Sequence, residues 1–190
     1  MMYNSNTMTD KNMDECIKKI ANGDMTALKR LYDVLRVPIY KFALSIVKSP
    51  MLAEDIAQET FLRIMANIQV YRPKGKPRAW IFSIVHNLAI SELRKKTKFV
   101  DIEEAYNLSD TSVDFSVSEG LVLLDSLNPD EKEIVCLHIL ADLKHYDIAK
   151  ILNMPYEQVR WKYAYSLKKL KKYLTKTKQG EGFEYENEKS

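Results

Sequence analysis

The run Leu52-Ala53-Glu54-Asp55-Ile56-Ala57-Gln58-Glu59-Thr60-Phe61-Leu62-Arg63-Ile64 carries two patterns at once. Apolar residues recur at Leu52, Ile56, Phe61, Ile64 and Ile68, close to helical spacing, which predicts a helix with one buried face. Glu54, Asp55 and Glu59 sit in its early turns, where the helix dipole favours acids. Gln58 and Glu59 follow in an order that a purely structural helix does not need. The polar side of this helix is therefore a candidate partner surface. A solvated face would be explanation enough for Glu54 or Arg63 alone.

Helical patterning extends outward in both directions. Upstream, a helix over 14–22 ends at Gly23, a C-cap residue. Asp24 then caps a helix whose apolar face includes Leu28, Leu31, Leu35 and Ile39. Pro38 predicts a kink or break there, after which the pattern resumes through Phe42, Leu44 and Val47. Ser49-Pro50 is a helix start signal for the opening run. Downstream, a loop over 71–77 precedes a helix over 78–96, with Ile81, Ile84, Val85, Leu88 and Leu93 on its apolar face. Residues 99–118, rich in Asp, Glu, Ser and Thr, read as a flexible acidic linker. Asn128-Pro129-Asp130-Glu131 is a capping-box signature opening another helix. A short helix over 145–152, the turn Asn153-Met154-Pro155 and a long basic helix to about 175 then form a helix-turn-helix pattern. The expected fold is all-α. Two small helical domains, 14–98 and 119–175, are joined by the linker at 99–118, and a disordered tail follows at 176–190.

Composition supports this reading and excludes others. Among 190 residues, 46% are hydrophobic, enough for real cores, and only 5 Gly and 6 Pro argue against a turn-rich β fold. No run approaches the roughly 18 apolar residues of a membrane helix, and the polar first residues lack a signal-peptide core. A cytoplasmic protein with no membrane insertion is expected. Cys16 and Cys136 read as buried thiols. No Gly-rich phosphate loop, paired-Cys motif or nucleophile elbow is present, so no enzyme, metal or cofactor is expected. Net charge is only +3, but its distribution is uneven. Residues 72–98 hold eight bases against Glu92, and residues 156–178 hold eight against Glu157, while 100–119 hold six acids and no base. Two basic blocks separated by an acidic strip suggest two contacts with one polyanion. Solvated helix faces are the alternative for either block alone.

Three motifs in order carry a family resemblance. The opening run closely matches Ala-Glu-Asp-hydrophobic-x-Gln-Glu-Thr-Phe, the pattern with which bacterial sigma factors grip RNA polymerase. Arg78-Ala79-Trp80-Ile81 through His86-Asn87 to Leu93-Arg94-Lys95 resembles the family's promoter-melting helix. Asp147-Ile148-Ala149-Lys150-Ile151-Leu152 resembles the Glu-Ile-Ala-x-x-Leu of its C-terminal helix-turn-helix. Over about 14–174 the chain resembles the small sigma factors of the extracytoplasmic-function type.

The resemblance implies a promoter-specificity subunit that binds core RNA polymerase and opens promoter DNA. It implies that Asp55, Gln58, Glu59 and Arg63 face the polymerase. It implies that Tyr71, Arg72, Lys74, Lys76, Arg78, His86, Asn87, Arg94 and Lys95 hold melted, single-stranded DNA, where cations meet phosphates and planar or amide groups meet unstacked bases. Trp80, at the start of an amphipathic helix, reads better as core. Gln158, Arg160, Trp161 and Lys162 are implied to read duplex DNA, and Lys168, Lys169, Lys171 and Lys172 to touch phosphate or solvent. An anti-sigma protein is a further implied partner. The chain departs from the pattern at Ser91, for a usual Asp, and at Asn153, for a turn Gly. It departs again at Lys144, for a capping Ser or Thr, at about 1 kcal/mol, and at Glu157-Gln158-Val159-Arg160-Trp161 in the recognition helix. Two other functions compete: an autonomous helix-turn-helix regulator, which leaves the Asp55-Gln58-Glu59 face unused, and a polymerase-binding decoy.

Overall fold

Thr9 starts the first helix, α1 (Asp10–Ala21), by accepting a hydrogen bond from the Asn12 N–H at 3.3 Å. The computed structural model describes residues 8–72, 75–100 and 123–178. The helix begins four residues before the expected start because Thr9 caps it and Met8 and Met13, on either side of the cap, are both buried in the core. It ends in a paired closure: the Gly23 N–H donates to the Ile20 carbonyl and the Asp24 N–H to the Lys19 carbonyl. That closure needs the left-handed backbone of Gly23, at φ +89°.

Asp24 then accepts from the Thr26 and Ala27 N–H groups and opens α2 (Met25–Val47). Pro38 does not break α2, which runs unbroken for 23 residues. One missing N–H is a local loss, and Leu35, Ile39 and Phe42, all buried around it, hold the helix in place. Ser49 caps α3 (Pro50–Asn67), as its Ser-Pro signal predicts. The next helix, α4 (Pro77–Val100), runs past the expected end at 96 and into the first two residues of the expected linker. Phe82 is fully buried against Phe42, with ring centroids 5.7 Å apart, a core position missing from the predicted stripe.

Beyond residue 122, a helical turn at 123–125 precedes α5 (Pro129–Ala141). The Glu131 carboxylate accepts from the Asn128 N–H at 3.1 Å, the return half of the capping box. The helix-turn-helix consists of α6 (His145–Ile151) and α7 (Tyr156–Lys178). Lys144 stands at the start of α6 and makes no side-chain cap. The rest of the expected linker, 101–118, and the tail beyond 178 lie outside the described residues, as does Lys74.

The fold is all-α, with no strand among the described residues. Helices α1 to α4 pack as a bundle, α5 lies on α2, and α6 lies on α4. One continuous apolar cluster therefore runs from Met13, Leu31 and Phe42 through Phe82 and Val85 to Ile134, Leu137, Ile148 and Val159. The apolar periodicity of each helix is satisfied across both halves of the chain. Cys16 and Cys136 are free and buried in it, and burial pushes the Cys136 thiol up to about 11, far from thiolate chemistry.

Candidate nucleic-acid and partner interfaces

On α3 the buried side is Ala53, Ile56, Ala57, Thr60, Phe61 and Ile64. Asp55 and Gln58 stand on the open side, with Glu59 partly covered and bonded to Arg63 at 2.8 Å. Two further residues share that side at i+3 and i+4 spacing: Met51, 72% exposed, and Leu62, 56% exposed. A stripe Met51–Asp55–Gln58–Leu62 that mixes apolar and polar groups suits a protein partner. Attention to charged and amide residues alone passes over Met51 and Leu62. Beside the stripe, Gln58 and Glu54 edge a cavity of about 170 Å³ floored by Tyr32, Ala57 and Phe61.

The melting-module residues divide into open and engaged groups. Tyr71, Arg72, Lys76 and Asn87 line a cavity of about 660 Å³, with Trp80 on its wall and Asp147, Lys150 and Ile151 of α6 across it. Trp80 is half-buried with its ring 4.5 Å from that of Tyr71, so it is both core-backed and part of the wall. The Tyr71 hydroxyl donates to Asp14, and burial together with that carboxylate raises its pKa. Arg94 and Lys95 are exposed farther along α4, Lys95 pairing with Glu92 at 2.6 Å.

Three of these residues are held by acids or carbonyls from elsewhere in the fold. Lys76 pairs with Asp147 and lies 5.1 Å from the Tyr146 ring. His86 Nε2 lies 3.1 Å from Glu133 of α5. Arg78 is 8% exposed, and its guanidinium meets the Met8 carbonyl, Asp10 at 3.2 Å and Asp142 at 3.9 Å. Burial raises the Asp10 pKa while Arg78 pulls it down. Arg78 thus ties the start of the chain to the end of α5 and presents little of itself to solvent.

In the helix-turn-helix, α6 ends with the Asn153 N–H donating to the Lys150 carbonyl and the Met154 N–H to the Ala149 carbonyl. Asn153 takes φ +52°, the left-handed backbone expected of it. Val159 and Ser166 fix the inward face of α7. Gln158, Arg160 and Trp161 are exposed near its start, and Arg160 reaches Glu157 at 3.0 Å. Lys162 points inward instead, with 17% of its side chain exposed and Asp130 at 3.0 Å. Lys169 likewise reaches the buried Glu131 at 2.9 Å. These two lysines brace α7 to the acidic first turn of α5, while Lys168, Lys171 and Lys172 remain open. Behind the turn, the His138 and His145 rings pack on Tyr163, and His138 Nδ1 meets the Leu143 carbonyl at 2.8 Å.

Comparison with known proteins falls on the same two halves. Residues 31–99 match the family model "Sigma-70 region 2", and residues 123–172 match "Sigma-70, region 4". The chain is 30% identical over 135 residues to the ECF RNA polymerase sigma factor SigM of Bacillus subtilis, covering 67% of this chain and 82% of SigM. It is 28% identical to SigW of the same organism, covering 76% of this chain and 87% of SigW. Among solved structures, the sigma factor RpoE of Bartonella quintana, in complex with the anti-sigma factor NepR, shares the fold. Its TM-score is 0.63 at 21% identity, over 77% of this chain and 96% of RpoE. No described helix is long and apolar enough to cross a membrane.

Proposed function

The chain belongs to the extracytoplasmic-function family of RNA polymerase sigma factors, and we propose a division of labour among its surfaces from that premise. The protein is an alternative sigma factor that binds core polymerase, recognises promoter DNA and supports strand opening. The Asp55–Gln58 stripe of α3, with Glu59, Arg63, Met51 and Leu62, is the surface for core polymerase. Tyr71, Arg72, Lys74 and Asn87, continued by Arg94 and Lys95, hold the melted strand, with unstacked bases against the Tyr71–Trp80 wall. Lys76 and His86 join them by exchanging Asp147 and Glu133 for DNA. Arg78 supports the module from beneath. Gln158, Arg160 and Trp161 read the upstream duplex. The protein works in the cytoplasm, without a catalytic group of its own, and an anti-sigma protein restrains it.

The observation that supports this most is the order of the two matched regions on one chain, each carrying its own open surface. Mixing the full chain with bacterial core RNA polymerase, then transcribing a genomic fragment library, tests it. Association with new, discrete start sites is expected. Asp55→Ala with Gln58→Ala should weaken association while leaving the helical signal intact. Association without initiation would favour the decoy. No association, with specific retention of duplex DNA by the chain alone, would favour the autonomous regulator.

A further inference from the structure

Trp161 and Tyr165 stand one turn apart on α7 and stack on each other, their planes 7° apart and centroids 5.3 Å apart. Trp161 is 63% exposed and Tyr165 43%. At about 100° per residue, Trp161 lies opposite the inward face set by Val159, Ser166 and Leu170. The exposed Lys168 and Lys172 continue the same outer face toward the end of the helix. Lys169 lies 4.8 Å from the Tyr165 ring while bonded to Glu131, so the second ring of the pair is braced by the module itself. A stacked, exposed aromatic pair within the first three turns of α7 offers an apolar contact to a partner.

We propose that Trp161 and Tyr165 form a specificity-determining pair that reads the 5-methyl groups of thymine in the upstream promoter element. The inference rests on the reading of α7 as the recognition helix. The first turns of such a helix meet base edges in the major groove. There the thymine methyl is the apolar group on offer. Charge along the outer face points the same way. Glu157 at the head repels phosphate, the two rings are neutral, and Lys168 and Lys172 attract phosphate. Head and middle are thereby directed to bases and the far turns to backbone. Arg160, exposed near the head and 3.0 Å from Glu157, adds a polar contact beside the rings, while Lys162 is turned inward to Asp130. Adjacent thymines on one strand rise by about 3.4 Å, a step that two rings with centroids 5.3 Å apart can span.

The test uses the full chain assembled with core polymerase and duplexes randomised over the upstream element. Selected duplexes should contain neighbouring thymines. Remaking each with deoxyuridine removes only the methyl and should lower affinity roughly fourfold per contacted thymine, the scale of burying one methylene. Trp161→Ala should bind the thymine and deoxyuridine forms equally while still binding core polymerase, and Trp161→Phe should keep part of the preference. The exposure of Trp161 leaves the core of the module untouched in both variants. Sequence-specific binding that ignores the methyl would overturn the inference and leave the sigma-factor reading standing. So would a Trp161→Ala variant that keeps its full thymine preference, or one that keeps it and instead loses a protein partner. Failure to associate with core polymerase at all would be the separate failure of the wider reading.

Discussion

The two basic blocks carry the same net charge in sequence, and folding leaves each a different mixture of engaged and open cations. Around the start of α4, Lys76, Arg78 and His86 are engaged by Asp147, by Asp10 and Asp142, and by Glu133. Along the outer face of α7, Gln158, Trp161, Tyr165, Lys168 and Lys172 are open. Most acids holding the first block come from α5, α6 and the turn between them, the same half of the chain that carries the open block. A count of lysines and arginines therefore says little about which surface is ready for DNA. Readiness depends on where the carboxylates fall after folding.

Loosening the join between the halves should have the largest effect. Leu137 is fully buried in the apolar cluster shared by α2, α4 and α5. Leu137→Ala should remove about 2–5 kcal/mol and lower a single urea transition as a whole. Two transitions, with the N-terminal half unaltered, would break the picture of a shared core. Next comes release of the engaged cations. Asp147→Asn with Glu133→Gln should raise the affinity of the full chain for single-stranded DNA about three- to tenfold at low salt, and the gain should fade as salt screens it. An unchanged affinity would show that these acids do not limit access.

Within α7, a smaller contrast separates braces from contacts. Lys172→Ala should reduce the salt dependence of duplex binding by about one phosphate contact. Lys162→Ala should leave that slope alone and lower the melting temperature by the equivalent of about 0.5–1 kcal/mol. The reverse pattern would exchange their roles. The smallest effect is expected at His145, whose pKa is lowered from 6.5 by burial, then by His138 and Arg160. The unfolded chain takes up the proton first, so stability from the neutral ring is present above pH 6.5 and lost as pH falls through and below it. Melting at pH 7.5 and 5.5 should show that loss, and His145→Phe should shrink it. A variant with the same pH dependence would remove His145 as the source.

Local chemistry was readable where one residue acts on its neighbours. Ser49-Pro50, Asp24, Asn128 with Glu131, and the left-handed Asn153 all sit where their side chains or φ values require. The start of α1 carries no periodic apolar signal, because Thr9 caps a first turn whose apolar anchor, Met8, lies before the helix. Pro38 leaves α2 unbroken because the penalty of a lost N–H is weighed against packing that periodicity does not measure. The inward turn of Arg78 and Lys162 could not be read either. Lys162 finds its acid 32 residues away, and no local pattern marks that meeting. Periodicity likewise identifies the apolar faces of α2 and α5 without saying that they cover each other.

That mutual cover has a consequence during synthesis. The ribosome completes α2 and α4 before it makes α5 and α6, at about 5–20 residues per second. For several seconds the nascent bundle carries an apolar face whose cover has yet to be translated, beside Lys76 and His86 with their later partners absent. A growing chain in that interval offers chaperones a sticky surface and nucleic acid a basic one; Ile134, Leu137 and Ile148 close the first, and Glu133 and Asp147 the second.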